Sequence, residues 1–152
     1  MNNLDIYCVT NKKLSFLEKT SLKLVGVGQE NFSKRYLKCD DKDNIYYKEK
    51  YFSELTFHYW YWKNILPTEK SKWVGFCQKR RFWIKSEITQ TEVTKENLDE
   101  FLLKNIDQKF DDNDSFICNP INISGAKKIK IIKRGWRNLI KDPSIIFNPN
   151  KE

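Results

Sequence analysis

What this chain lacks narrows its function first. It has one histidine, His58, and four cysteines, at positions 8, 39, 77 and 118, with no short-range pairing among them. Zinc clusters use closely spaced Cys and His ligands, and disulfide scaffolds use a dense cysteine framework, so neither is expected. Scattered free thiols suit a reducing cytoplasm. Long apolar runs are missing too: the opening MNNLDIYCVTNKK reads neither as a signal peptide nor as a membrane span. The string Gly26-Val27-Gly28 lacks the third glycine and the following helix of a dinucleotide-binding turn. There is no internal repeat, and 152 residues make one domain at most.

What is present is aromatic and basic. Hydrophobic residues at 39%, with 14% aromatic, exclude wholesale disorder. A net charge of +8 points to phosphate-bearing or membrane-surface partners. Part of that charge is discounted, because abundant Lys and Asn are also what an AT-rich genome encodes.

Read in order, Leu4 to Thr10 is a buried first strand and Leu22 to Val27 a second. Asn31 to Lys50 is polar, without periodicity, and reads as a loop. Tyr51 to Asn64, YFSELTFHYWYWKN, carries the densest aromatics in the chain. Phe52, Leu55, Tyr59 and Trp62 recur at helical spacing, and Ser53, Phe57, Trp60 and Asn64 make a second face. A helix aromatic on more than one side is buried or lines a cleft. One continuous helix is therefore expected, with Leu55, Tyr59 and Trp62 largely buried and Trp60 and Trp62 in the core. Truncating Trp62 should then cost about 3–5 kcal/mol. Glu54 and His58, four residues apart, form a polar pair within it.

Leu66-Pro67 ends that helix, and Trp73 to Cys77 reads as another buried strand. Thr94 to Asn105 is a further helix and Ser115 to Asn119 a short strand. Lys127 to Lys141 is a basic amphipathic segment suited either to an anionic membrane surface or to packing on the domain. Asp142 to Glu152 is an irregular tail, so residues 1–125 form the domain and 126–152 the basic segment and tail. This order of elements predicts a three-layer α/β domain with a mostly parallel sheet. In such sheets ligands bind beyond the carboxyl ends of the strands, so Thr10 and Asn11 face a site. Gln78, Lys79, Arg80 and Arg81 place charge at the same mouth, where a planar guanidinium pairs two phosphate oxygens at once. A solvated basic turn is the alternative.

The segments CDDKDNIYYKEKYFSELTFHYWYWKN and WVGFCQKRRFW resemble a family of small bacterial capsular and exopolysaccharide glycosyltransferases. That family's pattern runs D-D-x-G-D-N-I, Y-C-E-L-T-x-x-Y-W-x-W-K-N, and V-G-L-x-H-Y-R-R-Y-F. The matching positions include Asp40, Asp41, Asp43, Asn44, Glu54, Tyr59, Trp60, Trp62, Asn64, Arg80 and Arg81. Two departures stand out: Gln78-Lys79 replaces the family's His-Tyr, and Lys42 stands where a glycine precedes Asp43. The resemblance covers roughly residues 4 to 120. It implies a GT-A-like nucleotide-binding half, without the second half that usually supplies the acceptor site.

The implied donor is a nucleotide sugar and the implied acceptor a saccharide or glycolipid. Arg80 and Arg81 would neutralise the leaving diphosphate. Asp40, Asp41, Asp43 and Asn44 would order the nucleotide or the sugar hydroxyls, and Glu54 with His58 would contact the sugar. Asp41-Lys42-Asp43 has the D-x-D spacing with which many glycosyltransferases hold magnesium or manganese, and two carboxylates suit a hard cation. Such a string is equally a turn or a cap, so no cofactor is firmly expected. The implied location is the cytoplasm, with peripheral contact at the inner face of the membrane. A basic nucleic-acid-binding module is the alternative function. It is disfavoured because the densest aromatics sit among few charges.

Overall fold

A computed structural model describes residues 3–85, 92–119, 136 and 140. The chain divides into two compact units, Met1–Asp112 and Asn113–Glu152, and the sheet lies in the first. Four strands, β1 (Leu4–Thr10), β2 (Lys23–Gly26), β3 (Tyr36–Leu37) and β4 (Trp73–Gln78), pair in parallel in the order β3-β2-β1-β4. Side chains alternate across the pleat. Leu4, Ile6 and Cys8 of β1 therefore join Leu22 and Leu24 in one apolar cluster, while Tyr7, Val9, Val25 and Val27 join another. Apolar residues on both faces are what a parallel sheet between two covering layers requires. The α/β architecture expected from the element order is the one observed.

The first cluster is covered by α1 (Ser15–Glu18) through Leu17, by Phe32, and by α4 (Leu98–Phe101) through Leu98 with the following Leu102. The second is covered by α3 (Leu55–Asn64), which buries Thr56, Phe57, Trp60 and Tyr61. Strands β1 to β3 step one way across the sheet, and the chain then returns past them to β4. With right-handed crossovers, that reversal carries the returning helix to the opposite face.

The aromatic stretch departs from expectation in two ways. It is not one helix: α2 (Glu49–Phe52) ends at Ser53, whose φ of 46° and ψ of −118° break the spiral before α3 begins. No Gly or Pro announces the break. It is held by the Thr56 hydroxyl donating to the Ser53 carbonyl at 2.7 Å and by the Ser53 N–H donating to the Glu49 carbonyl at 2.7 Å. The buried arc is also the other one. Phe57 is fully buried, whereas Leu55 and Trp62 are each 55% exposed and Tyr59 is half-buried. Both arcs are aromatic and helically spaced, so periodicity alone does not choose between them. A backbone region that favours glycine costs a serine about 1–3 kcal/mol. Ser53→Gly should therefore raise stability by about 1 kcal/mol after the added flexibility of glycine is counted. A urea midpoint that drops would show the conformation is not strained.

Other expectations also change. The stretch Asn31–Lys50 is not all loop: Tyr36 pairs as β3, Tyr46–Lys48 forms a 3-10 turn, and α2 starts at Glu49. Among the described residues β4 is an edge strand, with only Cys77 buried. Its open side is capped by the Trp83 indole, which donates to the Phe76 carbonyl at 2.9 Å. The helix expected over Thr94–Asn105 shrinks to α4. Asn97 Oδ1 accepts the Thr94 N–H at 2.7 Å, closing a side-chain turn at the start, and Leu102 leaves the helix to bridge Ile84. Ser115–Asn119 forms no strand and leaves Ile117 exposed. Lys127–Lys141 and Asp142–Glu152 lie outside the described residues except for Trp136 and Ile140, which are helical and exposed.

Candidate functional site at the carboxyl edge of the sheet

The strand order 3-2-1-4 reverses direction between β1 and β4. Crevices in open parallel sheets open at such a reversal, beyond the carboxyl ends of the two strands. Here those ends are Thr10 and Gln78. Thr10 is buried, and its hydroxyl donates to the Lys12 carbonyl at 2.8 Å and accepts the Lys12 N–H at 3.1 Å. These bonds lock the turn that presents Asn11. Asn11 Oδ1 accepts the Lys79 ammonium across the reversal. Beside it, the Gln78 amide donates to the Glu54 carboxylate at the start of α3. Gln78, Lys79, Arg80 and Arg81 form a tight turn, closed by the Arg81 N–H on the Gln78 carbonyl at 3.0 Å, with both arginines exposed.

The third wall comes from the segment after β2. Gly28 has a φ of 92°, a value that disfavours any side chain. A Cβ there would lie 3.5 Å from Glu49 Oε1 and 3.9 Å from the Asn11 Cβ, so Gly28, Glu49 and Asn11 share one rim. The Tyr46 hydroxyl donates to the Gly28 carbonyl at 2.6 Å. Burial raises the Tyr46 phenol above its ordinary pKa, with Cys39, Glu49 and Asp40 adding to the rise. The arrangement thus sets cations and amides from β1 and β4 against carboxylates from α2 and α3. It can pair anionic oxygens on one side and accept hydroxyl protons on the other.

His58 lies one turn along α3 from Glu54, half-buried, with its ring 4.7 Å from that of Phe76 in an edge contact. Desolvation lowers its pKa from the ordinary value of 6.5, and the nearby Glu54 charge only partly opposes this. The folded protein therefore holds a neutral imidazole. The sign follows: the unfolded chain binds a proton at His58 more readily, so its contribution is complete above about pH 6.5 and is lost as pH falls through the lower folded value. Asp5, Glu69 and Asp99 are also lowered, and their contributions disappear only in the more acid carboxylate range. We expect the urea midpoint to decline as pH falls below about 6.5, and His58→Gln to flatten that decline. An unchanged slope in the variant would place the titration elsewhere.

The Asp40–Asn44 loop is anchored differently from its expected role. Asp41 accepts the Trp60 indole N–H on its carboxylate at 2.9 Å, and the Tyr59 hydroxyl donates to Asp43 at 3.0 Å. Asn64 donates to the Asp43 carbonyl at 2.8 Å, while Asn44 folds back on the carbonyls of Asp41 and Lys42. These bonds clasp the loop to the middle and far end of α3, whereas the rim lies at its start. Asp40 is exposed and acts on Tyr46 through its charge. Lys42 has a φ of 51°, which accounts physically for a glycine in the related pattern. The two carboxylates of the D-x-D string each accept a separate donor on α3. Among the described residues no group of three or more His, Cys, Asp or Glu is placed to hold a metal.

Sequence reasoning thus found Asn11, Glu54, His58, Arg80 and Arg81 at or beside the rim. It passed over Glu49 and Tyr46, and left Gln78 and Lys79 out of the binding set. The available signal for the first two was Gly28, since a close backbone approach asks what approaches it. Among the described residues no helix is long and apolar enough to cross a membrane. A family model described as a domain of unknown function, DUF4422, matches residues 5–135. Neither the curated proteins nor the solved structures gave a significant match.

Proposed function

The chain belongs to the DUF4422 family, and from the chemistry of its carboxyl rim we propose that it is a glycosyltransferase-type domain binding a nucleotide-activated sugar. The processes served would be capsular, exopolysaccharide or lipopolysaccharide synthesis, at the cytoplasmic face of the membrane, with a saccharide or glycolipid as acceptor. One observation carries the reading: at the β1–β4 reversal Lys79 meets Asn11 and Gln78 meets Glu54, beside the exposed Arg80-Arg81 turn. The resemblance of the Asp40–Asn64 and Val74–Phe82 motifs to polysaccharide glycosyltransferases supports it further.

In such a transfer the bond from the anomeric carbon to the diphosphate breaks, and the diphosphate leaves with the electron pair. An acceptor hydroxyl forms the new bond and releases its proton. Lys79, Arg80 and Arg81 would meet the growing negative charge on the diphosphate, where fixed donors do the most electrostatic work. Glu49, Glu54 and neutral His58 would accept hydrogen bonds from sugar hydroxyls.

Thermal unfolding with ligand tests this directly. A ligand that binds only the folded chain adds about 2.7 kcal/mol at a hundredfold excess over Kd. We expect a panel of nucleoside diphosphate sugars to contain one that raises Tm at micromolar concentration, while single-stranded oligonucleotides do not. Stabilisation by oligonucleotides alone would replace this reading with the nucleic-acid one.

A further inference from the structure

The outward arc of α3, read from the sequence as core, is exposed, and its composition is unusual for a solvated surface. Tyr47 (77% exposed), Tyr51 (80%), Leu55 and Trp62 stand out from the first unit together with Phe52 and Leu66. Within α3, Leu55, Tyr59 and Trp62 fall on a single stripe opposite the buried Phe57 and Trp60. The stripe continues onto the neighbouring 3-10 turn that carries Tyr47, which packs against α3, and the Tyr59 and Trp62 rings meet at 5.9 Å, edge to face. Contiguous exposed apolar surface of this kind marks an interaction site.

Lysines are interleaved with these rings. Lys63 Nζ lies 4.0 Å from the Trp62 ring centroid and 5.9 Å from that of Tyr59, and Lys48 Nζ lies 5.4 Å from Tyr47. Lys42, on the preceding loop, and Lys50, in α2, are also exposed. The exposed carboxylates of Asp43 and Asp41 also border the stripe, where they accept the Tyr59 hydroxyl and the Trp60 indole and keep their charge. Glu49 is directed toward Gly28 and the rim. The face therefore presents aromatic and leucine side chains with cations at their edges.

That combination selects among partners. Protein interfaces are enriched in Trp and Tyr but depleted in Lys. Trp and Tyr at the level of lipid headgroups, with Lys stems lying along apolar surface and their ammonium groups held in water, are the pattern of a membrane interface. The cations match anionic headgroups, which add an electrostatic attraction to apolar burial. We propose that the face built by Tyr47, Tyr51, Leu55, Tyr59 and Trp62, with Lys48 and Lys63, docks on an anionic phospholipid surface. This does not rest on the sugar-nucleotide reading, since the face involves none of the rim residues.

Flotation of the full chain with vesicles tests it, using phosphatidylcholine alone and phosphatidylcholine mixed with phosphatidylserine. We expect binding to the mixed vesicles, weakened by salt and nearly absent on phosphatidylcholine. Lys48→Gln with Lys63→Gln should lower partitioning at least about tenfold, from roughly fivefold per cation at an anionic surface. Leu55→Ser with Trp62→Ser should lower it by about as much or more through lost apolar burial. The altered side chains are exposed, so circular dichroism and Tm should match the unaltered protein and show that the variants fold. Full binding by both variant pairs overturns the proposal, as does a failure of the unaltered chain to bind mixed vesicles. A concentration-dependent dimer abolished by Trp62→Ser would assign the face to a second copy and overturn it as well.

Discussion

Phe57→Ala should remove about 3–5 kcal/mol of stability, as large core truncations do, and leave the chain close to unfolded. Phe57 is fully buried on α3, in ring contact with Tyr7 at 5.5 Å, Tyr61 at 6.0 Å, Trp60 at 6.1 Å and Phe76 at 6.3 Å. It thus joins the helix to both strands of the β1–β4 reversal. A domain of this size has only about 5–15 kcal/mol in reserve, so this one change consumes much of it. Trp62→Ala, on the same helix and of equal aromatic weight, should stay within about 0.5 kcal/mol because its ring is exposed. The pair of urea midpoints decides which arc of α3 is core. A large loss for Trp62 and a small one for Phe57 would invert the packing described here.

How far the sequence carried can be judged from the same helix. β1, β2 and β4 were legible because a parallel strand covered on both faces writes itself as a continuous apolar run. From their order the sheet class followed, and with it the placement of Asn11 and Arg80-Arg81 at the carboxyl edge. α3 was legible as a helix but not in its orientation. With Phe57, Trp60 and Tyr61 on one arc and Leu55, Tyr59 and Trp62 on the other, apolar spacing is degenerate. What decides is the complementary shape of Tyr7, Val9 and Phe76 on the sheet, which no local window contains.

The break at Ser53 was hidden for a related reason: a serine there is locally disfavoured and is held by Thr56 and Glu49. The Asp40–Asn44 loop misled differently. Its carboxylates read as ligands because their partners, the Trp60 indole and the Tyr59 hydroxyl, lie 19 and 16 residues further on. A charged residue hydrogen-bonded to a distant aromatic has the same sequence appearance as one awaiting substrate.

The second large effect concerns how a diphosphate is held at the rim. We expect donor affinity to fall at least about tenfold when Arg80 and Arg81 are both changed to Ala, and to persist in chelator. Hydrogen bonds to charged groups contribute about 1.5–3 kcal/mol each, and about 1.4 kcal/mol is tenfold in affinity, so loss of even one well-made contact reaches that threshold. Lys79 is partly committed to Asn11, whereas the arginines are exposed at the turn that closes β4. Their planar forks suit the paired oxygens of a diphosphate better than a lysine's point charge does. The competing arrangement uses a magnesium or manganese ion on Asp41 and Asp43, each of which already accepts a hydrogen bond from α3 on one of its two oxygens. An ion held there by the folded chain alone would stabilise it, so a metal-dependent donor site should also show metal-dependent Tm without any sugar nucleotide. Titrating the donor found by thermal unfolding, with and without chelator, into the unaltered chain, the Arg80→Ala/Arg81→Ala variant and an Asp41→Asn/Asp43→Asn variant separates the two. Binding that vanishes in chelator, survives loss of both arginines and is abolished by the double Asn change would refute the arginine-based site and move the diphosphate to the far end of α3.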